Sequence, residues 1–144
     1  EAELKAIMNL NLKDIPRLEL VRDTFVFCCF TGLAFCDVKT LLRSDISTDA
    51  NGAVWIRKAR AKTGELCVIP MLDIPMQLAN KYADNPVVKA TGVVLPVITN
   101  QKMNAYLKEI ADLAKIKKLL TTHCLRHIKF SFLLKFKHLQ IFAA

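Results

Sequence analysis

The sequence predicts an α+β fold that is mainly helical and contains a small antiparallel β-sheet. Two observations support this fold class. Apolar residues recur at helical spacing on both sides of the middle of the chain, most clearly over residues 99–115. The middle instead holds two short strand-like segments, 54–58 and 66–69, with a glycine-containing turn around Lys62-Thr63-Gly64 between them. The predicted order is therefore helices, a β-hairpin, and helices again.

The first half of the chain is predicted to hold three helical segments. Residues 2–9 have helical spacing, and residues 17–31 form a buried helix that ends at Gly32. Residues 36–42 add one or two helical turns before a loop that begins at Asp45. The Asp-Ala-Asn-Gly sequence of residues 49–52 follows as a turn that favours a hairpin.

The second half is predicted to be mostly helical. A helix spans 73–82, with Pro75 in its first turn. Residues 85–97 contain two prolines and a glycine and are predicted to form a loop. The helix over 99–115 is capped by Thr99 or Asn100, and a further helix begins at Thr121 or Thr122. After residue 127 the apolar pattern is closer to that of a strand but would also make a helical stripe; both stay open, with a slight preference for a helix because a helix is already under way.

Composition indicates one folded domain. The chain has 144 residues, of which 53% are hydrophobic, and no apolar run approaches the roughly 18 residues that span a bilayer. The acidic N-terminus predicts no signal peptide. Five cysteines, an odd number without CxxC spacing, argue against a disulfide framework and a zinc site. We therefore expect buried, reduced thiols, no metal, no membrane association and a cytoplasmic location.

The positive charge is unevenly distributed. The net charge is +8, and the seven Lys or Arg residues from residue 113 onward have no Asp or Glu among them. Four more cations lie in one six-residue stretch of the predicted hairpin, namely Arg57, Lys58, Arg60 and Lys62. This asymmetry suggests an anionic partner, most simply nucleic acid, and the alternative is a solvated basic face without a partner; charge alone does not decide between them.

The segment Thr121 to His127 has the pattern of an anion site. His123 and Arg126 are three residues apart, so a helix would place them on one face. The arginine could bind an anion in bidentate fashion, and the histidine could donate or carry a proton. A phosphodiester is a natural target for such a pair.

Four segments carry a family resemblance. They are Phe-Thr-Gly-Leu-Ala-Phe-Cys-Asp-Val at 30–38, Ala-Lys-Thr-Gly-Glu at 61–65 with Val-Ile-Pro at 68–70, the helix over 100–114, and His-Cys-Leu-Arg-His at 123–127. In this order they resemble the catalytic domain of tyrosine recombinases of the phage-integrase type, especially integrases of Bacteroides-like mobile elements. The resemblance covers residues 3–127.

The resemblance implies a site for phosphodiester chemistry. In the family a tyrosine attacks a DNA phosphodiester and forms a 3′-phosphotyrosyl link. Arg126 would stabilise the transition state, and His123 would act as an accessory acid or base. Lys62 would protonate the leaving 5′-oxygen, although Lys58 and Arg60 are rivals for that role. Asp37 would be a supporting carboxylate, or would only cap its helix.

The implied partner is double-stranded DNA, and the family needs no metal or other cofactor. The residues expected to contact DNA are Lys58, Arg60, Lys62 and His127, and His127 is expected to pack beside the site. A homo-oligomer on DNA is also implied.

The sequence departs from the family pattern at two points. Ala34 stands where the family usually has an arginine, and the only tyrosines, Tyr82 and Tyr106, precede the last of the four segments, 123–127. We therefore expect residues 1–127 to be a partial catalytic domain and 128–144 an atypical tail. The core-binding domain would be absent, and the chain, truncated or altered at its C-terminus, would be inactive alone. The alternative is a non-catalytic DNA-binding or protein-assembly module.

Overall fold

The computed structural model describes residues 2–124, which are mostly helical with one three-stranded antiparallel sheet. The helices are Ala2–Met8 (α1), Pro16–Thr31 (α2), Phe35–Lys39 (α3), Asp73–Lys81 (α4), Pro86–Thr91 (α5) and Asn100–Leu113 (α6). The strands are Ile46–Thr48 (β1), Val54–Ala59 (β2) and Leu66–Pro70 (β3). Short 3₁₀ turns span Arg43–Asp45 and Thr122–Cys124. The predicted fold class is confirmed.

Helix α2 is the centre of the hydrophobic core. Residues 25–30 of this helix are all apolar, and Phe25 and Phe27, on different faces, are both fully buried. A helix of this kind must be covered on all sides, and α1, α3, α4 and α6 pack against it. It begins at Pro16, where proline is tolerated. Gly32 ends it in the left-handed conformation (φ 75°) and donates its N–H to the Cys28 carbonyl, as predicted.

The sheet has the strand order β1-β2-β3 and presents one face to the core. Ile46, Ile56 and Ile69 lie in register across the three strands, and Ile56 is fully buried. Arg57 and its partner Val68 are exposed on the opposite, outer face. The two strands of the predicted hairpin are confirmed, each one residue longer than expected.

Strand β1 corrects the prediction of a loop beginning at Asp45. The 3₁₀ turn Arg43–Asp45 leads directly into Ile46–Thr48, which pairs with β2. Three residues are too short for a recognisable alternating pattern, so the strand exists because β2 offers it a partner. The turn at Asp49 fixes the pairing, since its Oδ1 accepts N–H groups from Asn51 and Ala53 at 2.9 and 3.0 Å.

Helix α5 corrects the prediction of a loop over residues 85–97. Asn85 caps the helix by accepting the Val87 N–H at 2.9 Å, and Pro86 occupies the first position. Gly92 ends it in the left-handed conformation. The proline and the glycine, taken as loop signals, are a start and a stop signal for a short helix. Val88 anchors it with only 2% of its surface exposed.

A buried carboxylate links three segments of the helical part of the fold, named here the helical layer. Asp23 of α2 is 3% exposed and accepts hydrogen bonds from Arg22 Nε at 2.8 Å, Lys81 Nζ at 2.6 Å and Tyr82 Oη at 2.6 Å. Arg22 also donates to the Leu10 carbonyl at 2.8 Å. The α1–α2 connection, α2 and the end of α4 therefore share one hydrogen-bonded network, named here the Asp23 network.

All five cysteines lie within the described residues and none is in a disulfide, but they differ in environment. Cys28 and Cys29 are buried, and burial raises the pKa of the Cys29 thiol to about 12. Cys36 is exposed, so the prediction of buried thiols is wrong there. Cys67 and Cys124 are partly exposed.

The described residues contain neither a membrane-spanning helix nor a cluster of metal-binding side chains. Among residues 2–124, no helix is both long and apolar enough to cross a bilayer. The same part of the chain holds no group of three or more His, Cys, Asp or Glu side chains placed to bind a metal ion.

Candidate nucleic-acid site

The loop of the β2–β3 hairpin presents Lys62 at its tip. Two backbone hydrogen bonds close this loop: Arg60 N–H to the Glu65 carbonyl and Gly64 N–H to the Arg60 carbonyl, both 2.8 Å. Gly64 has φ 72°, a left-handed conformation that glycine adopts without steric cost. Lys62 is fully outside the core and exposed. The loop is thus a closed turn that carries its lysine into solvent.

Asp37 connects this loop to helix α3. Its side chain is buried, with only 3% of the residue exposed, and its Oδ1 accepts the Ala61 N–H at 2.9 Å. Ala61 is the residue directly before Lys62, so the bond fixes the backbone that carries the lysine. The predicted supporting carboxylate therefore contacts the hairpin loop rather than only capping its own helix.

The 3₁₀ turn Thr122–Cys124 is docked on the first turns of α6. The Thr122 N–H donates to Asn104 Oδ1 at 3.0 Å, and the Thr122 hydroxyl donates to Asn100 Oδ1 at 2.9 Å. Helix α6 is itself capped by Thr99, one of the two predicted caps, whose hydroxyl accepts the Lys102 N–H at 3.4 Å. These contacts place His123 at the surface beside the start of α6.

An open cleft brings the three segments together. Its volume is about 750 Å³, and it lies between α3, the hairpin loop and the turn that carries His123. Its wall contains four of the predicted site residues: Asp37, Arg60, Lys62 and His123. Lys39 lines it as well, so three cationic side chains and one carboxylate of the described residues face the space. Such a surface attracts anions.

The other hairpin cations point elsewhere. Lys58 lies on the core-facing side of β2, where its Nζ donates to the Thr40 carbonyl at 3.3 Å, and it does not line the cleft. Arg57 is exposed on the outer face of the sheet. Strand alternation separates neighbours that the sequence places in a single basic cluster.

Neither tyrosine of the sequence lines the cleft. Tyr82 is part of the Asp23 network; burial first, and then its bond to Asp23, raises the pKa of this phenol well above its ordinary value. Tyr106 on α6 packs under the Arg17 guanidinium, 4.9 Å from its ring centre. Both rings are therefore held in other parts of the fold, outside the cleft wall.

Lys39 and Asn100 line the cleft and Cys67 contacts one of its residues, but none of the three is identified as functional from the sequence. Lys39 lies two residues after Asp37 in α3, a spacing that does not by itself place two helical residues on one face, so the sequence gives no signal for it. Asn100 was considered only as a helix cap, yet it positions the turn before His123. Cys67 contacts Arg60 across the hairpin, with Arg60 Nε donating to its Sγ at 3.0 Å. A hairpin alignment that pairs Lys58 with Cys67 places Arg60, two residues further on, diagonally opposite this cysteine, and so indicates the contact.

Several predicted features lie outside the described residues. Arg126 and His127 belong to the part of the chain beyond residue 124, as does the tail 128–144 with its strand and helix alternatives. The helix expected to carry both His123 and Arg126 is described only up to Cys124, where it is a 3₁₀ turn.

Comparison with known proteins shows likeness in structure rather than in sequence. No family model matches the sequence, and no curated protein matches it. The chain is similar to the XerH site-specific recombinase bound to difH substrate in a pre-cleavage complex, with a TM-score of 0.68 and 16% identity over 95% of this chain and 41% of that one. The chain is also similar to XerH bound to palindromic difH substrate in a post-cleavage complex, with a TM-score of 0.70 and 16% identity over 95% of this chain and 40% of that one. For the XerA recombinase the TM-score is 0.63, with 18% identity over 93% of this chain and 49% of that one.

These neighbours are tyrosine recombinases, and the chain spans less than half the length of each. At such low identity the likeness establishes the fold. The chain has the fold of a tyrosine-recombinase catalytic domain, as its sequence resemblance predicts.

Proposed function

We propose that this chain is the DNA-binding part of the catalytic domain of a site-specific tyrosine recombinase, of the kind used by mobile elements such as those of Bacteroides and by phages. Its ligand is double-stranded DNA, bound in the cytoplasm with one phosphate seated in the cleft. Residues 1–127 are the partial domain in this proposal, and 128–144 form an atypical C-terminal tail.

One observation carries the proposal. Asp37, Lys62 and His123 come from segments that are far apart in sequence, yet they line one cleft. Two contacts hold these segments in place. The hydrogen bond between Ala61 and Asp37 joins the hairpin loop to α3, and the bond from Thr122 to Asn104 joins the turn that carries His123 to α6. A structural role for any one of these residues would not require all three to face the same open space.

The proposed roles follow from side-chain chemistry. Lys62 is a mobile point charge that can reach a phosphate or a leaving oxygen, which suits a general acid. His123 is exposed and can donate to the same phosphate or carry its proton. Arg126 would complete the cluster as a bidentate donor, with His127 beside it. No metal or cofactor takes part in the proposed chemistry.

Strand cleavage in this proposal needs a tyrosine from outside the chain, because neither Tyr82 nor Tyr106 faces the cleft. Alone, the chain would bind DNA without cutting it, and a different recombinase protomer that carries the tyrosine would supply the nucleophile. The same observation favours a second candidate function, a DNA-binding module without chemistry. Cleavage that appears when a tyrosine-bearing protomer is added distinguishes the recombinase from this module.

Duplex DNA binding tests the proposal, measured by fluorescence anisotropy over a series of salt concentrations. We expect Lys62→Ala to weaken binding and to reduce the slope of log K against log salt by about 1, because one phosphate contact is lost. We expect the same of Arg126→Ala. Lys108→Ala, which removes an exposed charge outside the cleft, is the matched control. No binding at low salt, or an equal loss for Lys108→Ala, would contradict the proposal.

A further inference from the structure

Arg60 occupies a distinct position in the cleft wall. The α3 side of the wall begins with Leu33, Ala34 and Phe35, whose side chains offer no hydrogen-bond donor to an anion. Arg60 lies at the base of the hairpin loop and lines the same space. It is the one arginine among the described residues that does so.

The Arg60 guanidinium is held at one corner. Its Nε donates to Cys67 Sγ at 3.0 Å, across the hairpin from β2 to β3. A guanidinium has five N–H donors in a planar fork, so this contact uses one and leaves the four on the terminal nitrogens. Arg60 forms no salt bridge among the described residues. A side chain fixed through Nε with both terminal nitrogens open is preorganised to bind an oxyanion in bidentate fashion.

We propose that Arg60 is a phosphate clamp of the cleft and that Cys67 is the residue that positions it. This inference rests on the proposed function, since it names the group that holds the DNA phosphate there. The Arg60 guanidinium stays charged, because its hydrogen bond to Cys67 and the nearby carboxylates of Asp37 and Glu65 raise the pKa of Arg60 above its ordinary value.

The competing explanation is a purely structural contact that ties β3 to the hairpin loop. In that case loss of the Cys67 acceptor would lower thermal stability and leave DNA affinity unchanged. A clamp instead predicts that loss of the Cys67 acceptor weakens DNA binding more than it lowers thermal stability, because a released arginine must be ordered again each time DNA binds.

The first experiment compares Arg60→Ala with Arg57→Ala in duplex binding over a salt series. Both remove one arginine from the same hairpin, but Arg57 lies on the outer face of the sheet. We expect Arg60→Ala to weaken binding about tenfold and to reduce the salt slope by about 1. Arg57→Ala should change affinity less than about twofold, since its exposed charge lies on the outer face of the sheet, outside the cleft, where salt screens it. Equal losses for the two variants would overturn the clamp.

The second experiment tests the positioning role of Cys67 by a double-mutant cycle. Cys67→Val, which is close in shape but has no acceptor, should weaken binding by about three- to fivefold. Cys67→Ser, which restores an acceptor, should bind like the parent. In the Arg60→Ala background, Cys67→Val should have no further effect. A loss of the same size in both backgrounds would overturn the positioning role.

The outcomes separate this inference from the proposed function. If the parent binds duplex DNA and Arg60→Ala is no worse than Arg57→Ala, the clamp is overturned and the proposed function stands. If the parent does not bind at low salt, both are overturned. Melting curves for each variant show whether the hairpin remains folded.

Discussion

Replacement of Asp23 by alanine is expected to lower the free energy of unfolding by about 3 kcal/mol. The carboxylate is almost fully buried and accepts hydrogen bonds from Arg22, Lys81 and Tyr82. Its removal leaves Arg22, whose side chain is only 12% exposed, without its charge partner. Lys81 is 40% exposed and can be hydrated instead, which places the expected cost at the low end of that for breaking a buried ion pair.

Urea denaturation followed by circular dichroism measures this loss. The control is Asp84→Ala, which removes a carboxylate that is 97% exposed and only 3.6 Å from Lys89. Exposed pairs contribute less than about 1 kcal/mol, so this variant should unfold almost like the parent. An Asp23→Ala variant as stable as Asp84→Ala would show that the Asp23 network does not hold the helical layer together.

Replacement of Asp37 by alanine is expected to weaken duplex DNA binding about tenfold, although it removes a negative charge from a site for a polyanion. Electrostatics alone predicts tighter binding for this variant. The hydrogen bond from Ala61 to Asp37 predicts weaker binding, because its loss frees the backbone beside Lys62. The free energy of a hydrogen bond to a charged group, about 1.5–3 kcal/mol, is enough for a tenfold effect. We therefore expect positioning to outweigh charge.

Asp37→Asn separates the two effects. Asparagine also loses the charge, but its side-chain oxygen can still accept the Ala61 N–H. We expect Asp37→Asn to bind DNA as tightly as the parent or more tightly, while Asp37→Ala binds more weakly, both by anisotropy at one salt concentration. Tighter binding by both variants would mean that Asp37 acts only through its charge.

Much of the fold follows from local signals in the sequence. Helix α6 has regular apolar spacing and a threonine cap, and α2 ends at a glycine that adopts the expected left-handed conformation. Strand β1 and helix α5 could not be predicted from such local signals. Three residues cannot show a period, and α5 depends on Val88 being buried by the rest of the fold. Both are short elements that tertiary contacts stabilise.

The site was predictable in part, for a related reason. Lys62 and Asp37 belong to short motifs that are recognisable in the sequence. The contact between Asp37 and Ala61, and that between Arg60 and Cys67, join residues brought together only by folding. The sequence also groups Arg57 with Arg60, whereas strand geometry places Arg57 on the outer face. Which cations share a surface depends on backbone alternation and on where the hairpin turns.

The central claim is that a DNA phosphate binds in the cleft, and a backbone amide NMR titration with a short duplex tests it most directly. The predicted result is shifts concentrated at residues 34–37, 60–63 and 122–123, with little change at Trp55 and Arg57 on the outer face of the sheet. Shifts centred on that outer face, or none in the cleft while anisotropy reports binding, would contradict the claim.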